Sequence, residues 1–295
     1  MDLKKLKGRP PYPFETVAVA IAYSPRMEAI VAEAGNLAKT FGAKLLLIHA
    51  GNKTDAKADK LQKILAKREL VLHPHEIIWK EGKAVDIILD TCKEHIVDLL
   101  VLGALKKESL LSFYLGSLAR TISRKAKCSV LLVTQPSAEP RKPSRMIVTG
   151  VDNPKTLLTV KTAVYFAEKY SIKEIRVVQE VDMTGMAMTL ADNTTVADAS
   201  KFRKDLTHDA EDSLHTIIRK CKSGDVDILE KTVKGKPGYA IGKYAKDKKA
   251  DLLVINSPDQ HLNLLDRIFT HDMEYILADL PCDVLLVHSR NHSEK

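Results

Sequence analysis

At 295 residues the chain exceeds the usual size of one domain and suits two, each long enough to bury its own core. Hydrophobic residues make up 45% and aromatics only 5%, so the apolar content is mainly aliphatic, as in strands covered by helices on both faces, and no stretch reaches membrane-spanning length. The net charge of +8 is widely spread and interleaved with acids, as in KTDAKADKLQKILAKRE, which reads as solvated helix faces and argues against a nucleic-acid partner.

The N-terminal MDLKKLKGRPPYPFE is basic and proline-bearing but lacks the apolar core and cleavage site of a secretory signal. Cys92, Cys128, Cys221 and Cys282 show neither CxxC nor metal-ligand spacing, which leaves little support for a disulfide framework or a zinc site. A soluble protein in a reducing, cytoplasmic compartment is expected.

In chain order, apolar runs predict strands over 17–22, 44–49, 76–80, 98–102 and 129–133, with helices between them. QPSAEPRKPSR (135–145) cannot build a core and reads as a linker. The order then repeats, with strands over 146–151, 174–178, 227–232, 251–255 and 283–287. EGKAVDIILDTCKEHIVDLLVLGA (81–104) aligns without a gap on KGKPGYAIGKYAKDKKADLLVINS (234–257), pairing Gly82 with Gly235 and Asp98 with Asp251. CSVLLV from Cys128 matches CDVLLV from Cys282, AKTFGAK (38–44) matches AEKYSIK (167–173), and AYSP (22–25) matches VDNP (151–154).

The chain is therefore two copies of one α/β unit, with domains expected over 1–138 and 143–295. Strand alternating with helix implies right-handed crossovers, hence a Rossmann-like parallel sheet of five strands in each domain, with helices on both faces. The second copy carries extra sequence at 181–201, whose Met183, Met186 and Met188 offer either an adaptable contact surface or a lid packed on its own domain.

VLGALKKESLLSFYLGS (101–117) runs from a strand end at Gly103 to Gly116-Ser117, where a helical pattern begins. In an open parallel sheet, ligands bind beyond the carboxyl ends of the strands. A glycine lets backbone approach a ligand closely, and free N–H groups in a first helical turn suit a phosphate. A glycine at a strand end and a serine at a helix start also occur with no ligand present.

The doubled unit, with VDLLVLGALKK…LGSLARTI…CSVLLV in the first copy and VTGVDNP, KGKPGYAIGKYAKDKKADLLVIN and CDVLLV in the second, resembles a tandem universal stress protein over nearly the whole chain. The resemblance implies two domains of the adenine nucleotide alpha hydrolase-like fold paired through their last strands. It also implies a loop of the form Gly-x2-Gly-x9-Gly-(Ser/Thr) and an aspartate after the first strand wherever ATP is bound. Gly103, Gly116 and Ser117 match that loop, Lys106 replaces its second glycine, and Tyr23 stands opposite Asp152. Leu118, Tyr23 and Ala50 complete the nucleotide candidates that the resemblance implies in the first copy. In the second copy Asp152 is present, Asn256 and Asp259 replace the leading glycines, and Thr270-His271 stand near the Gly-Ser position.

A unit charge about 4 Å from a phosphate oxygen interacts by roughly 4 kcal/mol at the effective dielectric of a protein surface, so Lys106 would favour a nucleotide where Asp259 would oppose one. Lys106 could equally crowd the ribose or phosphate. The first reading is thus a stress-response protein that binds ATP in its N-terminal domain as a sensor or switch. The alternative is a tandem scaffold for protein partners, both sites being degenerate, with the pseudo-dimer within one chain open to further pairing as a homodimer. Asp152, Asp259, His261, His271 and Asp272 gather near the strand ends of the second copy, but their spacing fits no metal motif. With no GxSxG elbow, no GxxxxGK[ST] and no defensible carboxylate pair, catalysis beyond slow ATP hydrolysis has no support.

Overall fold

The computed structural model describes residues 10–106, 113–182, 196–221, 224–257 and 273–289. Its first half runs β1 (Thr16–Ala20), α1 (Met27–Phe41), β2 (Lys44–Ala50), α2 (Asp55–Lys67), β3 (His75–Lys80), α3 (Ala84–Glu94), β4 (Leu99–Gly103), β5 (Leu105–Lys106), β6 (Phe113–Tyr114), α4 (Ser117–Lys125) and β7 (Ser129–Val133). The second half runs β8 (Met146–Thr149), α5 (Thr156–Tyr170), β9 (Glu174–Val181), α6 (Val196–Arg219), β10 (Asp227–Lys234), α7 (Tyr239–Asp247), β11 (Leu252–Asn256), a helical segment at 273–278 and β12 (Asp283–Val287).

The aliphatic runs form strands because both faces of each are buried. In β4, Leu99 and Val101 enter the core beneath α1 and α2, while Leu100 and Leu102 enter the core beneath α3 and α4. The strands make one ten-stranded sheet in the order β10-β9-β8-β11-β12-β7-β4-β1-β2-β3. Each half supplies five parallel strands, and the halves meet where β7 and β12 run antiparallel, with Leu131 opposite Leu285. Two edges that would otherwise expose unpaired backbone are thereby removed.

The repeat reappears as repeated hydrogen bonding. Asp98 accepts the N–H groups of Glu15 and Thr16 at 2.8 and 2.9 Å, and Asp251 accepts those of Ser144 and Arg145 at 2.9 and 2.8 Å. In each copy the aspartate before the fourth strand tethers the entrance to the first. Both α1 and α5 end in a left-handed residue, Gly42 (φ 67°) and Ser171 (φ 55°), whose N–H closes the last turn.

Across the seam, α1 packs on α5 through Phe41, stacked on Tyr165 at 5.6 Å and edge-on to Phe166 at 5.3 Å. On the other face, Arg120 and Arg124 of α4 pair with Glu274, and the Leu115 N–H reaches the Leu277 carbonyl at 3.2 Å. Of the 181–201 insertion, β9 takes the first residue, and α6 begins inside it at Val196. Met183, Met186 and Met188 lie outside the described residues. Among the described residues no helix is long and apolar enough to cross a membrane.

Candidate functional site

The strand order reverses between β1 and β4 in the first half and between β8 and β11 in the second, so each half has a crevice at the carboxyl ends of those strands. In the first, Gly103 ends β4. A Cβ added there would meet only Ile30 Cδ1, at 3.9 Å, so its missing side chain leaves space. α4 starts at Ser117 with Gly116 as N-cap and no side-chain cap, and Ser117 and Leu118 are both exposed. The first-turn amides of α4 therefore lack the usual side-chain acceptor, and the helix dipole favours an anion there.

Other features restrict this crevice. Lys106 lies in the β5–β6 pair, opposite Phe113, so the loop that would carry the second glycine of the motif is folded as a two-stranded ribbon. The neighbouring Leu105 leans over Gly116, where a Cβ would come within 2.9 Å of Leu105 Cδ1. Gly116 therefore has a packing reason as well as a ligand-binding one.

Tyr23 is half-buried in an aromatic cluster. Its ring meets His49 edge-on at 5.0 Å and stacks on Trp79 at 6.2 Å, and its hydroxyl donates to the Lys57 carbonyl at 2.8 Å. Burial raises its pKa above the ordinary value of 10.0. The ammonium groups of Lys57 and Lys60 lie 5.8 and 5.9 Å from the Tyr23 ring, so this end of the crevice is cationic as well as aromatic. Ala50, the last residue of β2, pairs with Lys80 and packs against the core on the α3 side.

His49 is buried, as a polar residue with a backbone partner should be. Its Nδ1 lies 3.2 Å from the Ile21 carbonyl, which puts the ring proton on Nδ1, and the buried Nε2 has no partner among the described residues. Sequence reasoning missed this Tyr23–His49–Trp79 cluster, because the three residues come from different strand ends.

It also missed Arg26. This N-cap of α1 donates from Nη1 to the Ala104 carbonyl at 2.6 Å and from Nη2 to the Thr134 carbonyl at 3.0 Å, tying together the ends of β4 and β7. A signal existed, since Lys155, the N-cap of α5, puts a cation at the same place in the repeat. Lys155 is buried.

The second crevice is filled from within. Asn256, opposite Gly103 in the repeat, accepts the Thr159 hydroxyl at 2.5 Å and donates to the Thr156 hydroxyl at 3.1 Å, which itself donates to the Val151 carbonyl at 2.6 Å. The polar side chain is thus satisfied by α5. Asp152 is exposed and lines a pocket of about 450 Å³ against Asp212, Ser213 and Lys220. Asp259, Thr270 and His271, with His261 and Asp272, lie outside the described residues. Among the described residues no group of three His, Cys, Asp or Glu could hold a metal ion.

A model of the universal stress protein family matches residues 13–134 and again residues 144–288. A functionally unknown protein from Pseudomonas aeruginosa PAO1 superposes with a TM-score of 0.69 at 14% identity, over 94% of this chain and 93% of that one. A putative universal stress protein from Pseudomonas aeruginosa UCBPP-PA14 gives 0.69 and 14% over 93% of each chain. A universal stress protein from Archaeoglobus fulgidus DSM 4304 gives 0.61 and 14%, over 93% of this chain and 96% of that one. At such identity these likenesses are of fold. No curated protein is close enough in sequence to count as a relative. Both halves of the repeat match the same family model in turn, and on that ground the chain belongs to the universal stress protein family, as a tandem of two such domains.

Proposed function

We propose that the N-terminal domain binds ATP as a sensor or switch, while the C-terminal domain serves as a structural partner. The contrast between the two crevices carries this reading: Gly103 leaves space beside the uncapped start of α4, whereas Asn256 fills the matching space and is hydrogen-bonded by Thr156 and Thr159. The phosphates are held by the amides of Ser117 and Leu118 and by the Ser117 hydroxyl. The base lies against Tyr23, near Ala50.

The test is thermal. ATP at millimolar concentration should raise the melting temperature of the whole chain, because a ligand that prefers the folded state must do so. The shift should vanish in the double variant Gly116→Val, Ser117→Ala and survive Asp152→Ala. Absence of any shift in the parent protein would leave the second reading, a tandem scaffold for a protein partner. Leu105 over Gly116, and Tyr23 packed into its own aromatic cluster, favour that reading.

A further inference from the structure

At the seam between the domains lies a cavity of about 720 Å³, bordered by the linker and, toward the first crevice, by Phe113, Val133 and Thr134. This is the size of a small-molecule pocket, at the kind of place, a domain boundary, where such pockets concentrate. Its cations are exposed, whereas its acids are partly buried. The rim carries Arg141 and Lys142 of the linker and Lys249 after α7, all exposed and without an ion pair among the described residues. Lys246 is also at the rim, but it is paired with Asp279.

The floor is acidic and hydroxylic. Glu33 of α1 accepts the Ser137 N–H at 2.9 Å through one oxygen, and its other oxygen has no partner among the described residues. Asp283 of β12, Asp251, the Cys282 thiol, whose pKa burial raises, and the Tyr170 hydroxyl of α5, which accepts from Asn36 Nδ2 at 3.4 Å, complete the titratable groups that face the cleft. Burial, with a contribution from the Asp283 charge, raises the Glu33 pKa to about 7, so near neutrality this carboxyl is as much a neutral hydrogen-bonding group as an anion.

Inorganic phosphate held at the rim leaves the hydroxyl-binding groups of the floor unused. A ligand suited to both levels puts its anion on the rim and uncharged hydroxyl groups on the floor, where Glu33 and Tyr170 can accept and donate. Apolar walls from Phe113 and Leu280 can cover the face of a ring.

We propose that the interdomain cleft is a second ligand site, separate from the nucleotide crevice, which takes a phosphorylated polyol: the phosphate is held by Arg141, Lys142 and Lys249, and the hydroxyl groups by Glu33 and Tyr170.

Isothermal titration calorimetry on the full chain tests this with glucose 6-phosphate, glucose, inorganic phosphate and phosphocholine as separate probes. Glucose 6-phosphate should bind at least tenfold more tightly than each of the other three. Charge reversal in the exposed linker, Arg141→Glu with Lys142→Glu, should weaken it at least tenfold, whereas Gly116→Val with Ser117→Ala should leave it unchanged. Glu33→Gln should bind more tightly than the parent at pH 8, where the parent carboxylate is ionised, and equally at pH 6. No binding of glucose 6-phosphate overturns the proposal. So does inorganic phosphate binding as well, which would mark a simple cationic patch, or phosphocholine binding as well, which would mark a site for a zwitterion.

Discussion

One oxygen of Asp283, at the start of β12, accepts both the N–H and the hydroxyl of Thr134, just past the end of β7, at 2.8 and 2.7 Å. The pair bridges the seam where the two domain sheets become one. Its pseudo-symmetric counterpart is looser, the His288 N–H donating to the Ser129 hydroxyl at 3.3 Å. Replacing Asp283 by alanine strands two donors in a buried place and should cost about 1–3 kcal/mol in urea unfolding. Asp283→Asn keeps an acceptor and avoids a buried charge whose pKa desolvation already raises, so its loss should be smaller. Equal stability of Asp283→Ala and the parent protein would show that the seam does not depend on this bridge.

Glu33 makes stability depend on pH. Its folded pKa is raised from 4.5 to about 7, so the folded state holds this proton more tightly than the unfolded chain does. The stability it contributes is fully present below about pH 4.5 and is lost as pH rises through 7. Relative to Glu33→Gln, the parent should therefore lose melting temperature between pH 5 and pH 8. Parallel curves for the two proteins over that range would place the Glu33 carboxyl at its ordinary value.

Leu105 is half-exposed and lies over Gly116. If it crowds the phosphate end of the crevice, Leu105→Ala should strengthen the ATP-induced thermal shift while changing the ligand-free melting temperature little. A smaller shift in this variant would mean that Leu105 helps to hold the nucleotide rather than crowding it.

In the second domain, Asn256→Ala removes the group that satisfies both Thr156 and Thr159. Loss of about 1–3 kcal/mol is expected from the unpaired buried Thr159 hydroxyl, while the Thr156 hydroxyl still donates to the Val151 carbonyl. Asn256→Gly should cost at least as much and should not create ATP binding, since the rest of the loop motif is also missing from that copy. Chemical denaturation with and without ATP separates the two effects.

Asp98 and Asp251 do the same work in different surroundings. Asp98 is 1% exposed, while Asp251 is only partly buried and has its pKa lowered overall by hydrogen bonds from Ser144 and Arg145 that outweigh its burial. Asp98→Ala should therefore destabilise more than Asp251→Ala. For Asp251 the lowered value means that its contribution is present at neutral pH and is lost as pH falls below the ordinary carboxylate range. Acid titrations of Asp251→Ala and the parent protein should converge there.

The repeat, the alternation of strand and helix and the parallel sheets could be read from the letters because each depends on local pattern. Continuous aliphatic runs such as LLVLG at 99–103 fit only a strand covered on both faces, and matched segments imply matched folds. The places of Gly103 at a strand end and of Gly116-Ser117 at a helix start were legible too, because apolar runs and helix starts are local in sequence.

The state of each crevice was not legible, because it depends on distances between residues far apart in the chain. Tyr23 meets Trp79, Leu105 covers Gly116, and Arg26 spans Ala104 and Thr134 only once β1, β3, β4 and β7 have aligned their ends. The interdomain cleft is tertiary in the same sense. Glu33, Ser137 and Asp283 belong to a helix, a linker and the last strand, and folding brings them together with the consequence that burial, rather than residue type, sets the charge of Glu33.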